Sequence, residues 1–538
     1  MRALILMIAI LSLLPARGSE LLPKDKPIQQ IVDHYIDELI KDQGAKVAPQ
    51  ADDATILRRL TLDLNGRIPT VAEWKEYVES KDPLKKEKLV DRLMSSPAFT
   101  RHQLEEFETM LAQPASGGRR GPGGSREYIA RVFKENRSWD RIFRDLLLAD
   151  EKEKGSSDFL KARIKDQDRL TNDVSVVFFG VNISCAQCHD HPLVHDWKQE
   201  HYYGLKSFLA RTFEQGAFLG EKDTGVVSYK TTKNENKTAR MMFLTGKVIE
   251  APGMVPDNET KKGGKAGKKN DKDKSSPPPP APKFSARAAL ADVALQSDQR
   301  QFFAKNIVNR TWHRFFGRGL VTPLDQMHSE NAPSHPELLD WLARDTAENS
   351  YDLRRLTRGL VLSRAYSRAS SFEGDRQPDA HLFAVARIRA MTPMQIATSL
   401  RLATTAPDQF SATLKADELD KRIEGYESAS RGFASLLEQP RDDFQISVTE
   451  ALMFSNNDRI QKEFLIDAKD RLIGAAQAFK DLDQAADLLL KNVLVRTPTA
   501  DEKKAVVEYL SARKDRPLEA LRQVVWALLT SAEFRFNY

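Results

Sequence analysis

The chain has 538 residues, which at roughly 150 residues per domain predicts two to four domains, each long enough to bury a core. Hydrophobic residues make up 41% and charged residues 29%, a composition typical of soluble globular proteins and unlike that of collagen, coiled coils or disordered chains. The 82 basic and 76 acidic residues leave a formal charge of +6, which is too small to indicate binding to nucleic acid or to an anionic membrane.

The first residues have the pattern of an export signal. Met1-Arg2 provides a positive start, and Ala3 to Leu14 form an apolar run that is too short to cross a bilayer. Pro15 ends this run, and Ala16-Arg17-Gly18 supplies small residues for a cleavage site. The pattern predicts a signal peptide at residues 1–18 and a periplasmic or extracellular mature protein. No later run is apolar for long enough to predict an integral membrane span.

Residues 26–212 have the periodicity of amphipathic helices and predict an N-terminal helical domain. One apolar pattern begins at Ile28, and a second runs from Ala54 to Leu64 and ends at Asn65-Gly66, which is a signal for the end of a helix. Thr70 and Glu73 have the spacing of a capping box, so the next helix is expected to begin directly after Thr70.

The chain changes character after residue 212. Residues 213–255 contain β-prone stretches that predict a small sheet. Residues 256–283 are rich in lysine, glycine and proline and predict a flexible linker that cannot bury enough surface to fold. Helical patterns return over residues 284–538, which predicts a C-terminal helical domain. The expected fold is therefore mainly α, with two helical domains, a small β-rich insertion and a disordered basic, proline-rich linker between them.

Three signals predict where helices begin or end in the C-terminal half. An amphipathic run from Phe302 to Phe316 ends at Gly317. Ser334 and Glu337 have capping-box spacing and predict a helix from Pro336 to Glu348, and Asp352 is expected to cap the next helix.

The segment Cys185-Ala-Gln-Cys188-His189 contains the only two cysteines of the chain. Their spacing is that of covalent c-type haem attachment, in which two thiols add to two vinyl groups and the adjacent histidine ligates the iron. The sequence therefore predicts haem binding by Cys185 and Cys188, with His189 as an axial iron ligand. The export signal agrees, because bacterial c-type haem attachment takes place outside the cytoplasm. The cysteine count also excludes a disulfide-stapled scaffold and a cysteine-ligated iron–sulfur cluster.

Other chemistry at this segment stays open. Cys185 and Cys188 could form a disulfide, which is an easy reaction in an exported protein. They could also bind zinc or copper with His189, His191, His195 or His201, and a thioredoxin-like redox pair is a further alternative. No distal haem ligand is evident from the sequence. Met241, Met242 and Met254 are candidates, although core or loop methionines are the favoured interpretation.

Two further clusters contain reactive residue types. Trp312, His313 and Arg314 could form an anion site, although the pattern favours a core tryptophan and a solvated arginine before a glycine cap. His328 and His335 flank a loop and could have a metal-binding or acid–base role, but helix capping explains their neighbours equally well.

Several longer motifs are distinctive. Beside the cysteine segment, Arg58-Arg-Leu-Thr-Leu-Asp-Leu-Asn-Gly-Arg-Ile-Pro-Thr and Tyr202-Tyr-Gly-Leu-Lys-Ser-Phe-Leu resemble the planctomycete-type cytochrome-associated family, domain of unknown function 1549. Val308-Asn-Arg-Thr-Trp-His-Arg-Phe-Phe-Gly-Arg-Gly-Leu-Val and Pro333-Ser-His-Pro-Glu-Leu-Leu-Asp-Trp-Leu resemble its usual companion, domain of unknown function 1553. The resemblance implies a secreted protein of planctomycete-type bacteria and makes the Cys-x-x-Cys-His segment a family feature. It implies no activity, because both domains are named for lacking one.

The sequence favours an exported electron-transfer protein that binds one haem and exchanges electrons with periplasmic redox or envelope proteins. The alternative is a haem-free secreted scaffold in which the same motif is a disulfide or zinc clip, associated with the envelope or with polysaccharide processing. No Gly-x-Ser-x-Gly, His-Glu-x-x-His or Walker sequence occurs, so no hydrolase or transferase is indicated. An enzyme acting on extracellular polysaccharide is a third hypothesis that no residue supports directly.

Overall fold

The computed structural model describes residues 21–112, 126–150, 152–252, 279–440, 453–454 and 457–538. Helices dominate these ranges and every sheet within them is a two-stranded pair, so the expected mainly α fold is confirmed. The predicted signal peptide, Met254 and most of the predicted linker lie outside the described residues. None of the described helices is both long and apolar enough to cross a membrane.

The helices before the sheet pairs include the first predicted run and the helix after the capping box. Their bounds are α1 Ile28–Asp42, α2 Asp53–Asn65, α3 Val71–Glu79, α4 Lys85–Ser95, α5 Pro97–Ala112, α6 Arg126–Lys134, α7 Trp139–Leu148, α8 Asp158–Lys161, α9 Gln167–Val174 and α10 Gln199–Leu209. A π-helical turn, Ser175–Phe179, and a 3₁₀ turn, Ser184–Gln187, lie between α9 and α10. As predicted, α2 ends at a left-handed Gly66, and Thr70 and Glu73 form a capping box for α3.

Three antiparallel strand pairs follow α10, in the segment where the sequence predicts a small sheet. The pairs are β1 Thr212–Gln215 with β2 Phe218–Glu221, β3 Ser228–Lys230 with β4 Asn236–Thr238, and β5 Met241–Met242 with β6 Val248–Ile249. In register, Thr212 faces Glu221, Ser228 faces Thr238 and Met241 faces Ile249.

Helices return after the linker, as predicted. Their bounds are α11 Ala286–Leu295, α12 Gln301–Phe316, α13 Pro336–Glu348, α14 Leu353–Leu362, α15 Pro393–Ala403, α16 Ala416–Ala434, α17 Leu472–Gln477, α18 Leu482–Leu494, α19 Ala500–Ser511, α20 Pro517–Thr530 and α21 Ala532–Arg535. Short 3₁₀ turns lie at Ala380–Leu382 and Pro407–Phe410, and a π-helical turn lies at Ile460–Phe464. Strand β7, Arg389–Ala390, pairs with β8, Phe536–Asn537, near the end of the chain.

The predicted helix Pro336–Glu348 is confirmed, but its predicted cap is wrong. Helix α13 begins after His335, and no capping box joins Ser334 to Glu337. Pro336 occupies the first helical position, where its fixed φ and missing N–H suit a helix start, so the residue before it becomes the cap. Asp352 does cap α14, accepting hydrogen bonds from the backbone N–H groups of Arg354 and Arg355.

The buried hydrophobic side chains form two clusters, and α2 takes part in both. The first cluster combines residues from before and after the linker, from Ile28 to Ala384. The second lies between Met391 and Phe534 and includes Leu62 from α2. Leu60, two residues earlier on the same helix, packs in the first cluster. Helix α2 therefore lies between the two cores, and the halves of the chain share their packing.

Candidate functional site

The cysteine motif follows the π-helical turn Ser175–Phe179. This turn ends at Gly180, which has a φ of +67°, and a Cβ at this position would lie 2.8 Å from Oδ1 of Asn306 on α12. The left-handed backbone and the close approach both favour glycine. The next residue, Val181, forms an isolated antiparallel bridge with Gln326. The entry to the motif is therefore fixed against the C-terminal half of the chain.

Residues 325–330, here named the docking loop, bind the motif segment from the C-terminal half. The backbone N–H of Asn182 donates to the Asp325 carbonyl at 2.7 Å, and the Met327 N–H donates to the Gly180 carbonyl at 3.0 Å. Ser329 donates from its N–H and its hydroxyl to the Asp196 carboxylate, each at 2.8 Å. Sequence reasoning missed these contacts, because nothing close in the chain marks partners that lie more than a hundred residues apart.

The 3₁₀ turn Ser184–Gln187 displays the two thiols. The Ser184 hydroxyl donates to Oδ1 of Asn182 at 2.7 Å, which closes the turn at its start. Ala186 is fully buried, whereas Cys185 and Cys188 are exposed and unbridged. The buried alanine anchors the turn, so both sulfur atoms lie on its solvent side.

The first two turns of α10 hold the backbone on the far side of the motif. Nε2 of Gln199 donates to the Cys188 carbonyl at 3.0 Å, and the Tyr203 hydroxyl donates to the Gln187 carbonyl at 3.0 Å. The Tyr203 ring stacks on Tyr229 with a centroid separation of 4.2 Å. These contacts fix the cysteine turn without using either thiol.

His189 is exposed, and its Nδ1 lies 2.7 Å from the carbonyl oxygen of Asp190. A carbonyl can only accept, so Nδ1 is the donor and carries the proton. This leaves Nε2 as the unprotonated nitrogen. Histidines that ligate metals commonly donate their other ring N–H in this way, which orients the ring and fixes the tautomer. The geometry of His189 therefore suits an axial ligand.

The other histidines near the motif are engaged in local contacts. Nδ1 of His191 accepts from the backbone N–H groups of Leu193 and Val194, and Nδ1 of His201 accepts from that of Lys198. Nδ1 of His195 lies 3.1 Å from Glu330 of the docking loop. Within the described residues, no three histidine, cysteine or acidic side chains form a group that could hold a metal ion. The alternative zinc site of Cys185, Cys188, His191 and His195 is thus not assembled in this conformation.

Two of the three methionines considered as distal ligands, Met241 and Met242, lie within the described residues. Met241 and Met242 are buried in β5, and Met242 packs directly on Gly204 of α10. Both have the core position that the sequence favoured. No second axial ligand is identified among them.

The residues present fit covalent haem attachment and one axial ligand. The two thiols are unbridged and accessible, and Nε2 of His189 is free to ligate. The surroundings are open: Leu193, four residues after His189, is 77% exposed, and none of the three cavities described lines the motif. The motif therefore lies on the surface of the described chain.

The first of the two other clusters contains the expected core tryptophan and glycine cap, but not the expected solvated arginine. Trp312 is fully buried and stacks on Phe316, as expected of a core tryptophan. Arg314 is not a solvated side chain, because it donates to Gln103 at 2.6 Å and to the Asp63 carbonyl at 3.0 Å. His335 is buried next to Ser334, whereas His328 lies beside Gln326 in the docking loop region.

Two family matches cover more than half of the chain. Residues 31–214 match PSCyt2, described as a protein of unknown function (DUF1549), and residues 286–427 match PSD1, described as a protein of unknown function (DUF1553). No curated protein and no solved structure matches the chain. The cysteine motif, α2 and α10 lie in the first matched region, and the docking loop lies in the second. The chain therefore belongs to the proteins in which a DUF1549 domain is followed by a DUF1553 domain.

Proposed function

We propose that this protein is an exported c-type-cytochrome-like protein that carries one haem on its Cys-x-x-Cys-His turn and transfers electrons. The observation that carries the proposal is the turn itself: two unbridged, exposed thiols and a histidine whose Nδ1 is already engaged by a carbonyl. The signal-peptide pattern of residues 1–18 supports export, and the name PSCyt2 agrees with a cytochrome-like role.

The chain's own residues would perform the attachment without a co-reactant. Cys185 and Cys188 would hold the haem through thioether bonds, in which each S–H adds across one vinyl group and its hydrogen goes to the other vinyl carbon. His189 would ligate the iron through Nε2, with its Nδ1–H donated to the Asp190 carbonyl. When bound, the haem supplies one-electron redox chemistry. Gln199, Tyr203 and the docking loop keep the turn in position.

The exposed position of the motif defines the proposed partner. Cys185, Cys188 and His189 are all exposed, so an exported redox or envelope protein would reach a haem held by these residues directly. The potential would be sensitive to solvent, because burial and hydrogen bonding set haem potentials.

The test is expression of the full chain in a periplasm equipped for haem attachment, followed by the reduced pyridine-haemochrome spectrum. The expected result is a c-type band that co-purifies with the wild-type protein and is lost in the double variant Cys185→Ser, Cys188→Ser. His189→Ala should lose attachment or change the iron spin state, whereas His34→Ala, at an exposed position of α1, should leave the spectrum unchanged. A colourless wild-type protein would contradict the proposal.

The open surroundings favour one second candidate, a haem-free secreted scaffold with a disulfide or zinc clip at the same turn. Thiol titration and metal analysis of a colourless protein distinguish the two forms. A disulfide gives no free thiols and no metal. A zinc clip gives stoichiometric zinc, and its assembly requires His191 or His195 to leave the contacts described above.

A further inference from the structure

A second site lies away from the cysteine turn, in a cavity of about 340 Å³ between the two halves of the chain. Its walls come from α5, from α12 and from residues 387–392. The volume is within the range of small-molecule sites in proteins. Neither the family matches nor the haem proposal gives this cavity a role.

Arginines are over-represented in its walls. The arginines that line it are Arg137, Arg310, Arg314, Arg354, Arg387 and Arg389. The only carboxylates that line the cavity within the described residues are Asp63 and Glu106. His102 also lines the cavity but adds no positive charge to it. Burial, and then the nearby Arg314, hold the pKa of its imidazole well below the usual range.

Three of these arginines are neutralised by carboxylates. Arg389 forms a bidentate pair with Asp63, at 2.9 and 2.7 Å. Nε of Arg314 lies 3.7 Å from Glu106. Arg137 pairs with carboxylates outside the cavity, among them Asp145 at 2.6 Å.

Arg310 has no such partner among the described residues. Its Nε donates to Oδ1 of Asn306 at 2.9 Å and its Nη2 donates to the Val176 carbonyl at 2.7 Å, so its described partners are neutral. Burial lowers the pKa of Arg310 to about 10, against the opposing charge of the more distant Asp325, so the group stays charged at neutral pH. Arg310 is only partly accessible to solvent, and a charge removed from water without a counter-ion is costly and is normally paired.

A second donor in the wall also lacks an acceptor. Gln103 is only 4% exposed, and its Oε1 accepts from Arg314. Its buried Nε2 has no hydrogen-bond partner in the described part of the chain. An unsatisfied buried amide is unfavourable, so this group calls for an acceptor that the described residues do not provide.

The remaining walls are apolar. Phe99, Phe107, Phe133 and Ile307 line the cavity, and Arg354 lies over the Phe99 ring with a separation of 5.0 Å. Arg387 is exposed at the rim and forms no described side-chain hydrogen bond or ion pair. A ligand that satisfied the whole cavity would combine an anionic group with an apolar ring.

We infer that this cavity binds a small organic anion, a carboxylate or phosphate ester with a ring or other apolar body. The anionic oxygens pair with Arg310 and accept from Nε2 of Gln103, and the body packs on the aromatic wall. Guanidinium groups suit this task because they present a fork of donors to carboxylate and phosphate oxygens.

The test uses phenyl phosphate as the probe and the full chain as purified, with isothermal titration calorimetry as the measurement. We expect saturable binding with a Kd of about 1 mM or tighter, from the size of the probe. Phenol, which keeps the ring and lacks the charge, should bind at least about tenfold more weakly, because it makes no charge-assisted hydrogen bonds. Equal binding of phenol, or no saturable binding of phenyl phosphate, would overturn the inference.

Substitutions of two lining arginines test whether phenyl phosphate binds in this cavity. Arg310→Gln should weaken phenyl phosphate binding by about tenfold or more, and Arg387→Gln by a smaller factor. Arg376→Gln, at an exposed position outside the cavity, is the matched control and should leave the Kd unchanged. If Arg310→Gln fails to fold, Arg387→Gln provides the test. Its exposed side chain forms no described hydrogen bond or ion pair, so this substitution should leave the fold intact. An unchanged Kd in both cavity variants, or an equal loss in Arg376→Gln, would show that the anion binds elsewhere.

Discussion

At the scale of single residues, Asp63 of α2 connects parts of the chain that are far apart in sequence. Its carboxylate accepts two hydrogen bonds from Arg389, one from the Tyr366 hydroxyl at 2.7 Å and one from Nδ2 of Asn537 at 2.8 Å. The side chain is buried, so these donors replace the water that it loses on folding. One carboxylate therefore ties the N-terminal half to three separate segments of the C-terminal half.

Asp63→Asn should reduce the free energy of unfolding by about 3–5 kcal/mol, because it leaves the Arg389 charge buried and unpaired. Urea unfolding followed by circular dichroism measures the change. Asp458→Asn is the matched control, because its ion pair with Lys462 is exposed and should contribute less than about 1 kcal/mol. Equal losses in the two variants would contradict this view of Asp63.

His335 makes stability depend on pH. Burial, and then the nearby His381, lower its pKa from 6.5 to about 4. The unfolded state therefore takes up a proton first, and the contribution of neutral His335 is complete above pH 6.5 and is lost as the pH falls toward 4. The loss amounts to about 3 kcal/mol.

The measurement is urea unfolding at pH 7 and at pH 4.5, for the wild type and for His335→Gln. Other groups titrate in both proteins, so the informative quantity is the difference between the two pH dependences. The variant should lose less stability on acidification than the wild type. Parallel curves would show that His335 is protonated equally in the folded and unfolded states.

At the scale of elements, one helix-start motif is used twice. In the sequence Arg-x-Pro-Thr-x-x-Glu, Thr70 and Glu73 form the capping box of α3, and Thr499 and Glu502 form that of α19. In both copies the arginine, Arg67 or Arg496, forms a bidentate pair with the capping glutamate. The preceding helices, α2 and α18, both end in a left-handed residue. The repeated sequence is therefore shared helix-start chemistry.

A serine junction is used three times. Ser96, Ser363 and Ser531 each end one helix, with the backbone N–H and the hydroxyl both donating to the carbonyl three residues earlier. The same hydroxyl accepts from the N–H three residues later, at Phe99, Tyr366 or Phe534. Each of these aromatic side chains is buried. The junction thus turns the chain and places an aromatic ring in a core.

The two copies of the arginine motif allow a matched comparison. The side chains of Arg67 and Glu73 are 4% and 12% exposed, whereas those of Arg496 and Glu502 are 24% and 34% exposed. Arg67→Ala should therefore cost about 3 kcal/mol of unfolding free energy, and Arg496→Ala about 1 kcal/mol. Thermal or urea unfolding of the two variants gives the ratio. A larger loss for Arg496→Ala would show that burial does not set the difference.

At the scale of the whole molecule, α2 binds the last residues of the described chain. Nη2 of Arg58 donates to the carbonyls of Glu533, Phe534 and Phe536, at 3.1, 2.8 and 3.3 Å. Nε of Arg59 donates to the carbonyl of Tyr538 at 3.0 Å. Both arginines are buried, so these backbone oxygens replace the water molecules that would otherwise accept hydrogen bonds from the guanidinium groups.

Removing residues 536–538 should lower the Tm and the unfolding free energy by about 3 kcal/mol or more, since buried guanidinium donors lose their acceptors. Tyr538→Ala is the control, because it keeps the backbone carbonyl that Arg59 binds. Calorimetry should show a single transition in the wild type, because the first core combines residues from both sides of the linker. A truncated protein as stable as the control would contradict this role of the C-terminal residues.

The sequence by itself determined the features that depend on neighbours a few positions apart. Helices α2 and α12 end at the predicted glycines, α3 and α14 begin at the predicted caps, and the spacing of Cys185, Cys188 and His189 identifies the candidate site. Helix α13 has the predicted bounds, but His335 is its cap because Pro336 occupies the first helical position. These are local effects of backbone geometry, so they can be predicted from a few neighbouring residues of the sequence.

Only the tertiary structure decided which charged residues lie inside and what they contact. Arg58, Asp63 and Arg314 look like ordinary polar positions of amphipathic helices, yet they are bonded to groups hundreds of residues away. The docking loop, the shared core and the arginine-lined cavity have the same origin. Burial is a property of the assembled helices, and no short window of the sequence contains the partners that make a buried charge stable.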